Sequence, residues 1–484
     1  MTSQEQETSP EKAAKSILAR FAHLLSAYGI DGVLQAAFFL YLAWVDKAVF
    51  GELVYALAVG SIVMELVRFG LYYPLVGQLG EAQPHEAAEI MNRANIIKAL
   101  LLIPALIGVW GMIYYRGFPS RMAWIVFVMS AGVCLEVLAD TFFAYLRVMG
   151  LQKQEAQIRI GSGVSSYGFG LGAAVVGLNP IIVASYRLLS GLIQLVFGLL
   201  AYLRANPSNL LVLPEWRSVR EMFRLATVFA VIQLLGTFYN QTNILWMEKV
   251  VGVNGVASYG ASFNLINGIS AVVSMQLLGA VVFPLLTLMW WKDRDAVGPI
   301  VTRTAKWLMA AAFPIMFFLS MESELIIGLV YPAEYKDAVW VQKYLVWLIL
   351  CSFESNLFAY LMMVAGEAKR LLAISVIVTI ANLILNMLLV EPYGLAGGCL
   401  VIVLTRTAMA LLTFLYCQLR FRLFKPSDFL FPTALALVSL GVFFLTAPIF
   451  TYHVAVFMAL GCYAFFLWRF GERFMGPLTE KPAP

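Results

Sequence analysis

Apolar runs of about 20 residues recur along the whole of this chain, the length an α-helix needs to cross a bilayer. Lipid offers no hydrogen-bond partner to an exposed backbone, so such runs must be helical. Fourteen can be read, with approximate limits 21–45, 49–78, 94–115, 122–146, 158–178, 181–203, 221–246, 256–282, 300–321, 341–364, 371–391, 394–419, 428–448 and 452–469. The chain is 61% hydrophobic and only 13% charged, where a soluble protein carries about 25% charge. The expected fold is therefore an all-α polytopic membrane protein. Intervening segments are short and leave no room for a separate soluble domain. The first 20 residues are polar, with no short apolar core before a small-residue cleavage site, so no cleaved signal peptide is expected. Cys134, Cys351, Cys399, Cys417 and Cys462 all fall in apolar runs and read as small core residues. His23, His85 and His453 are far apart, so no metal cluster and no cofactor are expected.

Orientation follows from the basic residues. With the N-terminus inside, 24 of the 33 lysines and arginines fall on the inner side, six on the outer side and three within spans. That bias predicts cytoplasmic N- and C-termini. It also accounts for the net charge of +5 as a topology signal, not a nucleic-acid signal.

A weak internal repeat runs through the chain. Trp44-Val45-Asp46-Lys47 matches Trp246-Met247-Glu248-Lys249, with Gly51 and Tyr55 matching Gly255 and Tyr259. Pro74, Arg93 and Pro104 match Pro284, Arg303 and Pro314. Phe143-Ala144-Tyr145-Leu146 recurs as Phe358-Ala359-Tyr360-Leu361, followed by Gly150 and Lys153 against Gly366 and Lys369. The offset grows smoothly from 202 to 216, as small loop insertions would produce. Each repeat holds six spans, and an even number makes the halves parallel, related by an axis along the membrane normal. The expected organisation is a cytoplasmic tail at 1–20, six-helix bundles at 21–204 and 205–420 around a central cavity, two extra helices at 421–470 and a tail at 471–484. Parallel repeats of this kind suit alternating access.

Four stretches carry a family resemblance: Met64–Gly80 with its Phe-Gly-Leu turn, Gly252–Leu265, Leu325–Leu345 and Gly366–Gly398. On them the chain, over about residues 20–420, resembles the O-antigen type oligosaccharide flippases of the multidrug/oligosaccharidyl-lipid/polysaccharide exporter superfamily. Fourteen spans are also like the related lipid II flippases. The resemblance implies transport of a polyprenyl-pyrophosphate-linked sugar unit across a bacterial cytoplasmic membrane, with membrane lipids as surroundings and a polysaccharide polymerase as a further candidate partner. One departure stands out: family members often carry an acid in span seven, where this chain has Tyr239-Asn240-Gln241-Thr242-Asn243.

Ionisable residues inside a bilayer cost about 2.5–3.5 kcal/mol each and need a reason. Asp31, Glu65, Arg68, Glu136, Asp140, Arg187, Glu354 and Arg406 qualify. Arginine binds phosphate oxygens through a bidentate fork. Arg187, Arg406 and Arg68 are therefore either pyrophosphate ligands or members of buried ion pairs, for instance Arg406 with Glu354 and Arg68 with Glu65. Asp31, Glu136, Asp140 and Glu354 are either ion-coupling carboxylates or partners of those arginines. Asn240 and Asn264, with Asn382 and Asn386, suit sugar hydroxyls or interhelical hydrogen bonds. Gly168 and Gly172 form a GxxxG pair expected to mark close helix packing. The polar segment Glu322–Asp337 is expected to lie at the outer interface.

Three rivals remain. Acids outnumber arginines among the intramembrane ionisable residues, which suits a cation-exporting multidrug antiporter of the same superfamily. A membrane enzyme is the second: Asp293-Arg294-Asp295 matches a glycosyltransferase Asp-x-Asp motif, but in a short loop with no nucleotide-binding domain, and an O-antigen polymerase would need a larger outside loop than the chain offers. An assembly scaffold without transport is the third.

Overall fold

A computed structural model describes residues 10–82, 86–206, 212–273, 278–279 and 282–475. Residues 1–9 of the expected N-terminal tail, 476–484 of the C-terminal one and His85 lie outside the described residues. All regular structure among the described residues is helical: α1 (Pro10–Val45), α2 (Lys47–Arg68), α3 (Tyr72–Glu81), α4 (Ala87–Arg116), α5 (Ser120–Val148), α6 (Gln152–Val175), α7 (Pro180–Ala184), α8 (Tyr186–Ala205), α9 (Trp216–Val272), α10 (Phe283–Lys292), α11 (Arg294–Met321), α12 (Ser323–Val330), α13 (Lys336–Leu345), α14 (Trp347–Val364), α15 (Ala368–Phe421), α16 (Leu430–Thr446) and α17 (Tyr452–Met475).

Eleven helical stretches among these residues are long and apolar enough to cross a membrane. Two of them are interrupted. α9 loses helical geometry at Gly252 and α15 at Gly394, both with positive φ. Past Gly394 the chain comes back so close to the preceding part of α15 that a Cβ on Gly397 would collide with the Leu389 carbonyl. α6 is 24 residues long, but Lys153, Glu155 and Arg159 in its first turns lower its apolarity. The expected runs 158–178, 256–282 and 394–419 fall mainly in α6 and in the second parts of α9 and α15.

The expected limits change at one place. The run 49–78 is not a single helix: α2 stops at Arg68, Phe69 (φ 48°) and Gly70 (φ 60°) turn the chain, and α3 follows. The turn is packed as well as bent. A Cβ on Gly70 would lie 2.5 Å from the Ala230 backbone nitrogen on α9.

The chain divides into two compact units, Met1–Leu245 and Trp246–Pro484. In the first, α5 packs on α2 and α8, and α1 packs on α6. A core of Leu75, Met91, Phe143, Tyr145, Tyr202 and Met222 joins α3, α4, α5, α8 and α9. In the second, α14 packs on α15 and α11, while α16 and α17 form a hairpin docked on α11. Tyr463 donates to the Ala310 carbonyl at 2.8 Å and Tyr452 to the Met321 carbonyl at 2.9 Å. Large apolar side chains such as Ile107, Trp110, Leu411 and Trp468 face outward, as lipid-facing surfaces require.

Cap geometry supports the sequence repeat. α5 and α14 end in the same motif 216 residues apart. Gly150 and Gly366 each have φ 76°. Gly150 N–H reaches the Arg147 carbonyl and Leu151 N–H the Leu146 carbonyl, at 3.2 and 2.7 Å. Gly366 N–H reaches Met363 and Glu367 N–H reaches Met362, at 3.2 and 2.8 Å. A left-handed residue closing a helix favours glycine because it has no Cβ.

One smaller expectation resolves differently. Gly168 and Gly172 are exposed, with nothing near a built Cβ, so the GxxxG pair does not mark a packing seam. The close-packed glycines of α6 are Gly163, whose Cβ would lie 2.9 Å from Asp31 Oδ1, and Gly170, whose Cβ would lie 2.9 Å from the Phe38 ring. The helical period puts these two on the α1 face and leaves the GxxxG pair on the other. Glu322–Asp337 is largely helical, comprising α12, a 3₁₀ turn at Ala333–Tyr335 and the start of α13. Tyr335 and Ala338 are buried, and Ser262 donates to the Ala338 carbonyl at 2.7 Å.

Candidate functional site

In the first unit, Glu65 and Arg68 of α2, Asp140 and Arg147 of α5, and Glu155 and Arg159 of α6 are joined into one network. Arg68 is one turn above Glu65 on α2 and forks between two helices. Its Nη1 meets Glu65 Oε1 at 2.9 Å and its Nη2 meets Asp140 Oδ2 on α5 at 2.9 Å. The other oxygen of Asp140 takes Arg159 Nη2 of α6 at 3.3 Å. Arg159 Nε continues to Glu155 Oε1 at 2.8 Å, and Glu155 Oε2 accepts from Arg147 Nε of α5 at 2.8 Å. Lys98 of α4 is buried beside them, donating to the Val137 carbonyl at 2.6 Å and Thr141 Oγ1 at 2.8 Å. The guanidinium of Arg159 lies 4.5 Å over the Phe143 ring, within cation–π range.

A second pair stands about one helical turn deeper along α5. Arg187 Nη2 of α8 meets Glu136 Oε2 at 2.7 Å. Glu136 Oε1 and Arg187 Nε are buried with no hydrogen-bond partner. Both atoms therefore keep unused bonding capacity. α5 and α8 approach closely here because Gly132 and Gly191 face each other. A Cβ on Gly132 would lie 2.5 Å from the Arg187 backbone carbon. Asp31 of α1 feels the charges of Arg187 and Arg159 but forms no ion pair among the described residues.

The expected site residues of the first unit thus fall into two groups. Glu65, Arg68 and Asp140 are brought together; Glu136, Arg187 and, at longer range, Asp31 form the other. Asn240 lies apart on α9, its Oδ1 buried without a hydrogen-bond partner. Lys98, Arg147, Glu155 and Arg159 belong to the network and were not among the expected residues. In sequence they sit at span ends and look like topology charges. The i,i+4 spacing of Glu155 and Arg159, on a helix too polar to score as a span, is the signal that marks them.

In the second unit the pattern differs. Arg406 of α15 donates to Ser352 Oγ of α14 at 3.1 Å. It does not pair with Glu354, which was the expected example of a buried ion pair. Glu354 Oε1 is buried with no hydrogen-bond partner. Asn382 donates to Thr405 Oγ1 at 3.3 Å, a bond that joins the two parts of α15 across Gly394, and Asn386 donates to Asn382 Oδ1 at 3.0 Å within the first part. Asn264 is exposed on α9 beyond Gly252. Asp293 of the Asp-Arg-Asp stretch caps α11, its Oδ1 accepting from the Asp295 and Ala296 N–H groups at 3.2 and 3.3 Å. That is the work an N-cap aspartate does without any metal. Among the described residues no group of three His, Cys, Asp or Glu side chains could hold a metal ion.

Solved structures with this fold include a lipid II flippase, MurJ, in an inward closed conformation. It shares 13% identity at a TM-score of 0.70, covering 92% of this chain and 98% of that one. An inward-facing multidrug resistance MATE transporter of the MOP superfamily shares 15% identity at a TM-score of 0.66, covering 81% and 94%. A MOP superfamily transporter from Pyrococcus furiosus, described by the reverse polarity of its binding pocket, shares 14% at 0.56, covering 87% and 98%. At these identities the likeness is one of fold. A probable low-salt glycan biosynthesis flippase of Haloferax volcanii, Agl15, is 23% identical over 227 residues. That match spans 44% of this chain and 44% of the relative's length. The family described as "Polysaccharide biosynthesis protein" matches residues 45–340, more than half of the chain. With a transporter fold over nearly its whole length and this match, the chain belongs to the polysaccharide biosynthesis protein family of multi-span membrane proteins.

Proposed function

We propose that the protein is a flippase that moves a polyprenyl-pyrophosphate-linked oligosaccharide across a bacterial cytoplasmic membrane by alternating access, for surface polysaccharide assembly. The family match over residues 45–340 carries the reading. We take the two bundles as 21–204 and 205–420, with both termini cytoplasmic. A polysaccharide polymerase would act on the delivered product, and the chain itself performs no covalent chemistry.

Chemically, the substrate brings two things across: a pyrophosphate and a set of sugar hydroxyls. Arg68 and Arg187 lie at two levels of the first unit, and each is held by a carboxylate, Asp140 or Glu136. A pyrophosphate oxygen can replace a carboxylate oxygen on the same guanidinium, because each offers anionic oxygens that the N–H fork can hold. Exchange of carboxylate for pyrophosphate is then the binding step. It frees Asp140 or Glu136 to take up a proton, which is one route for ion coupling. Arg406, held by the neutral Ser352, is the corresponding cation of the second unit. Asn240 and Asn264 are the proposed sugar contacts.

One observation favours a second reading. Asp31 and Glu354 form no ion pair among the described residues, whereas Arg68 and Arg187 are matched by acids. Unmatched acids suit a cation-exporting antiporter. Leaflet-resolved transport in proteoliposomes separates the two. Movement of a polyprenyl-pyrophosphate sugar that Arg187→Gln abolishes supports the flippase. Gradient-driven efflux of an organic cation, with no lipid movement, replaces it with the antiporter.

A further inference from the structure

A cleft of about 570 Å³ lies between α6 and α8 in the first unit, beside the start of α6 and the end of α8. Its wall is unusually polar for two membrane helices. Gln154, Gln157, Ser162 and Ser165 of α6 and Arg204 of α8 line it, next to the ring of Phe197. Gln154, Gln157 and Arg204 are exposed and make no side-chain hydrogen bond or ion pair among the described residues. Gly161, one turn before Ser165, has nothing within 4 Å of a built Cβ, so the cleft stays open there. Hydrocarbon cannot satisfy amides and hydroxyls, and polar groups inside a membrane protein line places that water enters. None of these residues has a role in the substrate contacts assigned above.

The floor of the cleft leads inward. Ser162, which lines it, is fully buried, and its Oγ lies 3.1 Å from Ser190 Oγ of α8. Gln194, one turn further along α8 and also buried, donates to Ser190 Oγ at 3.0 Å and to Ser162 Oγ at 3.5 Å. Both hydroxyls therefore accept from the amide and keep their own protons for other partners. The Ser190 hydroxyl is within hydrogen-bonding reach of the Glu136 carboxylate, the acid that holds Arg187. The charged and titratable groups around that carboxylate are Arg187 and Tyr186 of α8, Arg159 and Tyr167 of α6 and Asp140 of α5, with Asp31 of α1 beyond Arg187. Two serines thus span the distance from the cleft to the buried acid.

We propose that protons enter by this cleft and reach Glu136 through Ser162 and Ser190. A hydronium in the cleft gives its proton to Ser162 Oγ, the Ser162 proton passes to Ser190 Oγ, and the Ser190 proton passes to the carboxylate. Water is left in the cleft, each serine again carries one proton, and Glu136 becomes a neutral carboxyl. Rotation of the two hydroxyls resets the chain. Ser162, Ser190 and Gln194 are positioning residues in this scheme. It rests on the coupling step described above, in which Glu136 takes up a proton once pyrophosphate displaces it from Arg187.

Two measurements on the full chain test the route, and neither needs a cargo. A membrane-impermeant methanethiosulfonate reacts with thiolate, which forms only where water reaches the thiol. Ser165→Cys, in the cleft, should react about tenfold faster or more than Val164→Cys, an exposed neighbour on α6 outside it. The unsubstituted protein, four of whose five cysteines are buried, sets the baseline. Equal rates at the two positions make the cleft dry and overturn the proposal. The second measurement follows the Glu136 carboxyl band by time-resolved infrared spectroscopy after a pH jump. Arg187→Gln removes the counter-charge so that Glu136 can change charge without a ligand, and Glu136→Gln in that background identifies the band. Adding Ser162→Ala and Ser190→Ala should slow protonation by about tenfold or more and leave its extent unchanged. Ser166→Ala, a buried serine of α6 that bonds only its own helix at Gly163, should alter neither. Equal rates with and without the two serines overturn the route alone. A Glu136 that takes up no proton overturns both the route and the use of this acid in coupling, whereas the flippase reading itself stands or falls on lipid movement.

Discussion

Arg187 Nη2 lies 2.7 Å from Glu136 Oε2 and ties α8 to α5. The second half repeats the tie with a change of chemistry. Ser352 stands 216 residues after Glu136, the local repeat offset, and accepts from Arg406 at 3.1 Å. An arginine thus bridges corresponding helices in both halves, to an acid in one and to a hydroxyl in the other.

This relationship makes a double-mutant cycle informative. Both partners of the Arg187–Glu136 pair are mostly buried, with side chains 20% and 14% exposed. Removing either charge alone leaves the other without its counter-charge, so Arg187→Gln or Glu136→Gln should each cost about 2–4 kcal/mol of stability. The double variant should lose much less than the sum, with a coupling of about 1–3 kcal/mol. Thermal unfolding in one detergent checks the coupling. Transport by the double variant decides the role: if Arg187 binds pyrophosphate, restored stability does not restore movement.

The all-helical fold was legible because bilayer length and apolarity act on every span alike. The repeat was legible in its offset, and the matching glycine caps at 150 and 366 follow from it. The pairing of charges was only half legible. Arg68 with Glu65 is written in i,i+3 spacing, but its second bond, to Asp140, needs the α2–α5 contact. Lys98, Arg147, Glu155 and Arg159 were hidden because a charge near a span end reads equally as a topology signal. Gly168 and Gly172 misled because GxxxG spacing defines a smooth stripe but not the direction in which it faces. Gly163 and Gly170, seven apart on the same helix, face α1 instead.

Asp140 and Glu65 both serve Arg68, but unequally. Asp140 also holds Arg159, so Asp140→Asn strips a counter-charge from two arginines. Glu65→Gln leaves Arg68 its bond to Asp140. The expected loss is about 3 kcal/mol or more for Asp140→Asn and about 1 kcal/mol for Glu65→Gln. Unfolding midpoints in detergent give the order, and equal losses would remove Asp140 from the centre of the network.

Glycine substitutions separate seam from surface. Gly132→Ala places a Cβ 2.5 Å from the Arg187 backbone carbon, an overlap that only a shift of α8 can relieve. The cost should be about 1–3 kcal/mol, and the shift should also weaken the Arg187–Glu136 pair. Gly168→Ala meets nothing within 4 Å and should be neutral or stabilising by up to about 1 kcal/mol through helix propensity. Equal destabilisation by both would show that α5 and α8 do not pack as closely as described.

Glu354 offers the cleanest test of coupling, because it stands near the repeat position of Asp140 without that residue's partners. No arginine depends on it, and its Oε1 is buried with no hydrogen-bond partner. Glutamine keeps the shape and removes the charge, so Glu354→Gln should leave the unfolding midpoint unchanged or slightly raised, since a buried carboxylate without a counter-charge is costly. If this acid carries a coupling proton, the same variant should lose the dependence of transport on an imposed pH gradient while downhill movement continues. Asp140→Asn, by contrast, should lose stability, because two arginines depend on it. A Glu354→Gln protein that is stable and still responds fully to the gradient would exclude Glu354 from coupling and leave Asp31, on α1, as the other expected coupling carboxylate without an ion pair among the described residues, to examine by the same two measurements.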